Sequence, residues 1–224
     1  MGCHGLRSEV EKNRVNTGIS SEPLEATVRE GLLAGATELF TQKGYAPTTV
    51  REIVTAAGVT KPVLYYYFRN KEGIYLELIR HPFAKFDALL DASRGEQGSP
   101  TKRILRLSDQ LFTLFIKNIK VARLMYSIYY GPPQGAPFFD FDTYHLKFHD
   151  AIRRLVKEGI RQGELQKGNT EDRMWVIVGI INVAMEAQLC HPETAMDRKQ
   201  LARILHLVLK GMSVGNNNEK ARKA

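Results

Sequence analysis

His145 and His149 stand four residues apart in HLKFH, the spacing at which two imidazoles on one helix can share a zinc ion. A zinc hydrolase sets a glutamate directly after the first histidine; Leu146 stands there, and no third ligand is evident. The chain has no glycine-rich phosphate loop, nucleophile elbow or cysteine–histidine arrangement. Enzyme activity, a bound metal and a cofactor are therefore not expected. The histidine pair remains the only constellation from which an all-α metal-binding protein or enzyme could be built.

A second group of residues points to different chemistry. In TTVREIVTAAGVTKPVLYYYFRNKEGIY, residues 48–75, two short helical patterns flank Gly58 and three tyrosines precede Phe68. At about 100° per residue, Leu64, Tyr67 and Phe68 share one side of the helix over 60–68, and Pro62, Tyr65 and Tyr66 share the opposite arc. An outward tyrosine ring can touch a thymine methyl or a sugar while its hydroxyl reaches a phosphate oxygen. Residues 43–71 add five bases, Lys43, Arg51, Lys61, Arg69 and Lys71, against the single acid Glu52. The backbone N–H groups around Thr48 and Thr49 offer an anion site at a helix start. Two short helices joined by a glycine turn, with a supporting helix before them, form the helix-turn-helix that places its second helix in a DNA major groove.

The elements that position these residues read as all-α, about nine helices. The first runs from about Leu24 to Lys43, with Val28, Leu32, Ala36, Leu39 and Phe40 on one face. Gly31 and Gly35 inside it each cost about 1 kcal/mol relative to Ala, so close packing should compensate. Thr49 and Glu52 make a capping box for the second helix, and Thr60 should cap the third with Pro62 in its first turn. A longer helix follows from Lys71 to about Leu90, bent near Pro82. Ser99 and Pro100 open the next, and others cover 121–130, 142–162, 170–189 and 197–212.

The segment LFTQKGYAPTTVREIVTAAGVTKPVLYYYFRNKEGIY resembles the N-terminal domain of the TetR (tetracycline-repressor-like) family of transcriptional regulators: its G-Y turn, T-V-R-x-I and A-G-V-T-K segments and L-Y-x-Y-F run before K-E follow the family's order and spacing. Carried over position by position, the family's DNA contacts fall on Thr48, Thr49, Lys61, Pro62, Tyr65, Tyr66 and Lys71, with Tyr67 at a site often held by His or Tyr. Pro62 departs from the family, whose residue there is often small. The resemblance further implies a C-terminal domain that binds a small molecule and forms a homodimer through its last two helices, about 170–189 and 197–212.

The residues themselves lean the same way. Met174 to Leu189 is apolar nearly all round, so that helix needs cover on more than one side, and at 16 residues the stretch is short for a bilayer. Leu201, Ile204, Leu205, Val208 and Met212 form a stripe suited to a four-helix bundle across a two-fold axis. Met125, Tyr126, Tyr129, Phe141, Tyr144, His145 and Phe148, with Trp175 and Met185, could line a cavity for a mostly apolar or aromatic effector. Asn182 and Glu186 share one face: inward, they select a polar or cationic ligand; outward, they are solvated or meet a second subunit.

Bulk composition bounds these readings. Of 224 residues 43% are hydrophobic and 25% charged, enough for a substantial core. The net charge of +8 suits a polyanionic partner, double-stranded DNA. Cys3 and Cys190 are too few for a disulfide framework, and the start lacks the apolar run of a secretory signal, so a cytoplasmic, non-membrane protein is expected. The expected organisation is a tail at 1–22, a DNA-binding domain at 23–70, a ligand-binding and dimerisation domain at 71–214 and a tail at 215–224. A DNA-binding dimer that senses nothing is the alternative.

Overall fold

The computed structural model describes residues 22–131 and 135–214. Cys3, the two expected tails apart from Glu22, and the centre of the GPPQGAP loop lie outside them. Among the described residues nine helices follow one another: α1 (Glu22–Lys43), α2 (Val50–Ala56), α3 (Lys61–Phe68), α4 (Lys71–Gly95), α5 (Pro100–Lys117), α6 (Ile119–Tyr129), α7 (Phe141–Arg161), α8 (Thr170–Cys190) and α9 (Arg198–Met212). Among the described residues the only extended pairing is an isolated bridge between Leu165 and Ser213.

Local chemistry sets the helix boundaries. The Thr49 hydroxyl accepts from the Glu52 amide and the Glu52 carboxylate accepts from the Thr49 amide, closing the capping box of α2. Gly58 ends that helix at φ 66°, a region that side chains disfavour. Thr60 occupies the N-cap of α3 in an extended conformation but makes no side-chain capping bond, so Pro62 near the start of that helix has the larger role. α4 runs unbroken through Pro82 to Gly95, five residues past its expected end.

Two apolar cores organise the chain. Leu32, Ala36 and Phe40 of α1, Ile53 and Val54 of α2, and Leu64 and Phe68 of α3 form the first with Ile74, Tyr75, Leu78, Ile79 and Phe83 of α4 and Leu124 of α6. This core runs past residue 70, because α4 and α6 supply its floor. The second joins α5, α7, α8 and α9 around Leu107, Phe112, Ile152, Leu155, Ile177, Ile181 and Leu205. Leu90 of α4 belongs to it, so α4 is shared by both cores.

The last two helices use their apolar residues differently from one another. In α9, Leu201, Leu205 and Leu209 turn into the subunit's own core; Ile204, Val208 and Met212 are half-buried, and Leu207 is exposed. Of the stripe expected at a two-fold axis, Leu201 and Leu205 thus serve the protomer's own core, and Ile204, Val208 and Met212 keep part of their surface free. α8 buries Met174, Ile177, Val178, Ile181 and Ala184 but leaves Trp175, Val176 and Val183 exposed. At 21 residues and mean hydropathy 1.3 it is longer than the apolar stretch read from the sequence, and long and apolar enough to cross a membrane. Its buried face packs within the second core, and Glu171 in its first turn pairs with Arg153 of α7.

Candidate nucleic-acid interface and effector cavity

α3 presents the face that helical geometry assigns to it. Leu64 and Phe68 are buried and Tyr67 is half-buried, whereas Lys61, Pro62, Tyr65 and Tyr66 are exposed, Tyr66 at 75%. The Tyr66 and Tyr67 rings meet edge to face with centroids 5.0 Å apart, which orders the outer ring at little entropic cost. A row of large exposed rings on a two-turn helix is an exception to ordinary surface chemistry.

The bases around α3 divide into engaged and available. Lys43 is paired with Glu52, whose carboxyl is held down to about 2 by that lysine and by the Thr49 amide and hydroxyl. Lys71 is engaged too: its Nζ donates to the carbonyls of Tyr45, Ala46 and Thr48 at 3.0, 3.2 and 2.9 Å and lies 4.2 Å from the Tyr45 ring centroid. Burial pushes its pKa down. Lys71, one of the DNA contacts the resemblance implies, ties the turn before α2 to the start of α4. Arg51, Lys61 and Arg69 are exposed and unpaired, so the available charge lies on α2 and α3. Arg51 and Arg69 counted toward the basic surplus of this segment, and Arg51 stands in its T-V-R-x-I segment, but neither was among the expected DNA contacts.

The two threonines are likewise occupied internally. Thr48 is 1% exposed, and its hydroxyl donates to the Gly44 carbonyl at 2.7 Å. Thr49 is exposed, with its hydroxyl on Glu52. Both set the geometry of the α2 start, and the Glu52 carboxylate beside it is neutralised by Lys43. Gly73 fastens the other end: a Cβ there would stand 1.9 Å from the Phe68 carbonyl oxygen, so only glycine lets α4 pack against the end of α3.

In the larger half, a cavity of about 280 Å³ opens between α4, α5, α6, α7 and α8. Of the residues expected to contact an effector, Met125, Tyr126, Tyr129, Phe141, Tyr144, His145, Phe148, Asn182 and Met185 line it. Trp175 and Glu186 do not; both are exposed on the outer side of α8. The open choice between an inward and an outward face therefore divides, with Asn182 inward and Glu186 outward. Pro82, Phe83 and Phe86 of α4 and Phe115 and Asn118 at the end of α5 complete the walls, contributions that helix spacing alone did not single out. Burial pushes the Tyr126 hydroxyl up to about 12, with Tyr130, then Glu186 and Cys190, adding to it.

The His145 and His149 rings meet at a tilt of 54° with centroids 4.1 Å apart, and His149 meets Trp175 at 4.8 Å. His149 is 4% exposed with its Nε2 unpartnered, and burial, then His145 and Arg153, push its pKa down. Among the described residues no three His, Cys, Asp or Glu side chains gather to hold a metal ion.

A helix-turn-helix head with exposed rings and unpaired bases is thus set on an all-α body with a cavity. Residues 32–78 match the family of bacterial regulatory proteins described as the tetR family. The N-terminal part of the chain is thus similar to the DNA-binding domain of the TetR family of transcriptional regulators. It is 22% identical over 102 residues to the HTH-type transcriptional repressor NicS of Pseudomonas putida, covering 46% of this chain and 48% of that one. It is 27% identical over 150 residues to the HTH-type transcriptional regulator QacR of Staphylococcus aureus, covering 61% and 73%. The chain thus spans about half the length of NicS and more of QacR. In fold it is similar to the TetR family transcriptional regulator PfmR from Thermus thermophilus, with a TM-score of 0.64 at 22% identity over 84% of this chain and 98% of that one.

Proposed function

We propose that this protein is a homodimeric, ligand-responsive repressor: α3 reads a palindromic operator, and a small molecule in the cavity releases it. The observation that carries the reading is the outward arc of α3, where Pro62, Tyr65 and Tyr66 are exposed beside the unpaired Arg51, Lys61 and Arg69. Rings of this kind serve thymine methyls and sugars, and the bases serve phosphates. The exposed Trp175, Val176 and Val183 of α8 are apolar surface for a second copy, and two-fold pairing would offer two α3 helices to successive major grooves.

The position of the cavity supports a sensor over a protein that only dimerises. Phe83, in the first core, and Phe86, packed on the second, both line it. Met125 lines it one residue from Leu124, which is buried in the head core, and Lys120 of the same helix pairs with Glu38 of α1. Pro82, whose missing N–H weakens α4 locally, lies in the wall. A ligand that favours one arrangement of α4 and α6 therefore shifts the population of head positions. A regulator of this kind works in the cytoplasm, where its operator is.

Tyr65→Ala and Tyr66→Ala test the reading. Each should weaken specific binding by about 1 to 3 kcal/mol with the helical content and melting temperature preserved, as expected for exposed groups. Unchanged affinity in both would remove α3 as the reading helix.

A further inference from the structure

The outer surface of α9 carries a charge pattern that neither operator reading nor effector binding uses. The helix, RKQLARILHLVLKGM, has no Asp or Glu. At about 100° and 1.5 Å per residue, Lys199, Arg203, His206 and Lys210 fall within one arc about 60° wide and about 16 Å long. All four are exposed, turned away from Leu201, Leu205 and Leu209, which are buried in the second core. Arg198 is spent on Asp109 at 2.8 and 2.6 Å, whereas Lys199, Arg203 and Lys210 have no ion pair among the described residues. A second copy set on the same arc across a two-fold axis would bring like charges together. Pairing therefore falls to the apolar surface of α8 and the half-buried Ile204 and Val208, which leaves the arc open.

From this pattern we infer that α9 is a second, sequence-independent surface for nucleic acid, holding the phosphate backbone of a duplex segment outside the operator. A row of cations suits the anions of a membrane, a protein or a nucleic acid, and the structure favours the last. Lying on a membrane needs a free apolar face, and that face of α9 is buried in its own subunit. A protein partner would be anchored by large aromatic or aliphatic side chains, and of those on α9 only Leu207 is exposed. Contacts made by Lys and Arg without rings are those that phosphates receive, and they fix position without reading bases. On α3, by contrast, the exposed Tyr65 and Tyr66 lie between Lys61 and Arg69 and can reach base edges.

The test uses the full chain and a duplex of about 40 base pairs, roughly four helical turns, free of any selected operator. Affinity is read by fluorescence anisotropy across a salt series, with melting temperature as the check on folding. Arg51→Gln, Lys61→Gln and Arg69→Gln together remove the free bases of the head. That variant should still bind the duplex, with a salt slope of about −2 to −3 from the three cations of α9. Adding Lys199→Gln, Arg203→Gln and Lys210→Gln should abolish the remaining binding, and Lys199→Arg with Lys210→Arg in their place should keep it. A head variant that does not bind, or that binds equally with and without the arc, overturns the inference. Displacement by poly-glutamate as readily as by unlabelled duplex overturns the choice of nucleic acid. Operator reading by α3 is judged in the wild-type chain by selected sequences, so the failure of either leaves the other standing.

Discussion

The ammonium of Lys71 lies 2.9 Å from the carbonyl oxygen of Thr48, the residue before the N-cap of α2. With its bonds to Tyr45 and Ala46 it clamps the α1–α2 turn to the first residue of α4. The helix that reaches toward the effector cavity thus begins on the backbone that aims α2. Lys71→Met should lower stability by about 1 to 3 kcal/mol, the range for charged hydrogen bonds, and leave the salt dependence of DNA affinity unchanged. Arg51→Ala and Lys61→Ala should do the reverse: unchanged melting temperature and a salt slope smaller by about one each. Titrations between low and moderate salt separate the two; a reduced slope for Lys71→Met would make it a phosphate ligand.

Gly31 and Gly35, one turn apart in α1, should respond differently to alanine. A Cβ at Gly31 meets nothing within 4 Å, whereas at Gly35 it would stand 3.3 Å from the Ala56 Cβ and 3.6 Å from the Ile53 carbonyl oxygen. Gly31→Ala is expected to raise stability by about 0.5 to 1 kcal/mol through helix propensity. Gly35→Ala should gain nothing, because α2 must shift to admit the methyl. Equal gains in chemical denaturation would show that α1 and α2 are packed less closely than the structure has them.

These two glycines illustrate what was legible in advance. Both read alike in sequence as helix-weakening residues needing a close neighbour, and only the tertiary arrangement shows that one of them has it. The outward arc of α3 follows from helical periodicity alone, so Tyr65 and Tyr66 were legible. Lys71 was not, because the carbonyls that engage it come from a turn 23 to 26 residues earlier. The α9 stripe carries a related ambiguity: periodicity identifies an apolar face but not whether its partner is the same subunit or another. Trp175 shared aromatic character with the cavity residues, yet its place on α8 points it away from them.

Acid should loosen the head through Glu52. Its carboxyl is lowered from an ordinary value near 4.5 to about 2, first by Lys43, then by the Thr49 amide and hydroxyl. A lowered carboxyl contributes stability that is fully present above about 4.5 and is lost as pH falls toward 2. Glu52→Gln should therefore flatten part of the decline in melting temperature across that window. A parallel decline in both proteins would show that Lys43 and the capping box do not hold Glu52 as described.

The central claim is that two copies of α3 read one duplex, and selection of bound sequences from a random duplex pool tests it most directly. A palindrome whose half-site centres lie about one helical turn, or a whole multiple of turns, apart should be enriched, and the enrichment lost in Tyr65→Ala and Tyr66→Ala. Enrichment of nothing, or of a single asymmetric half-site, would contradict it.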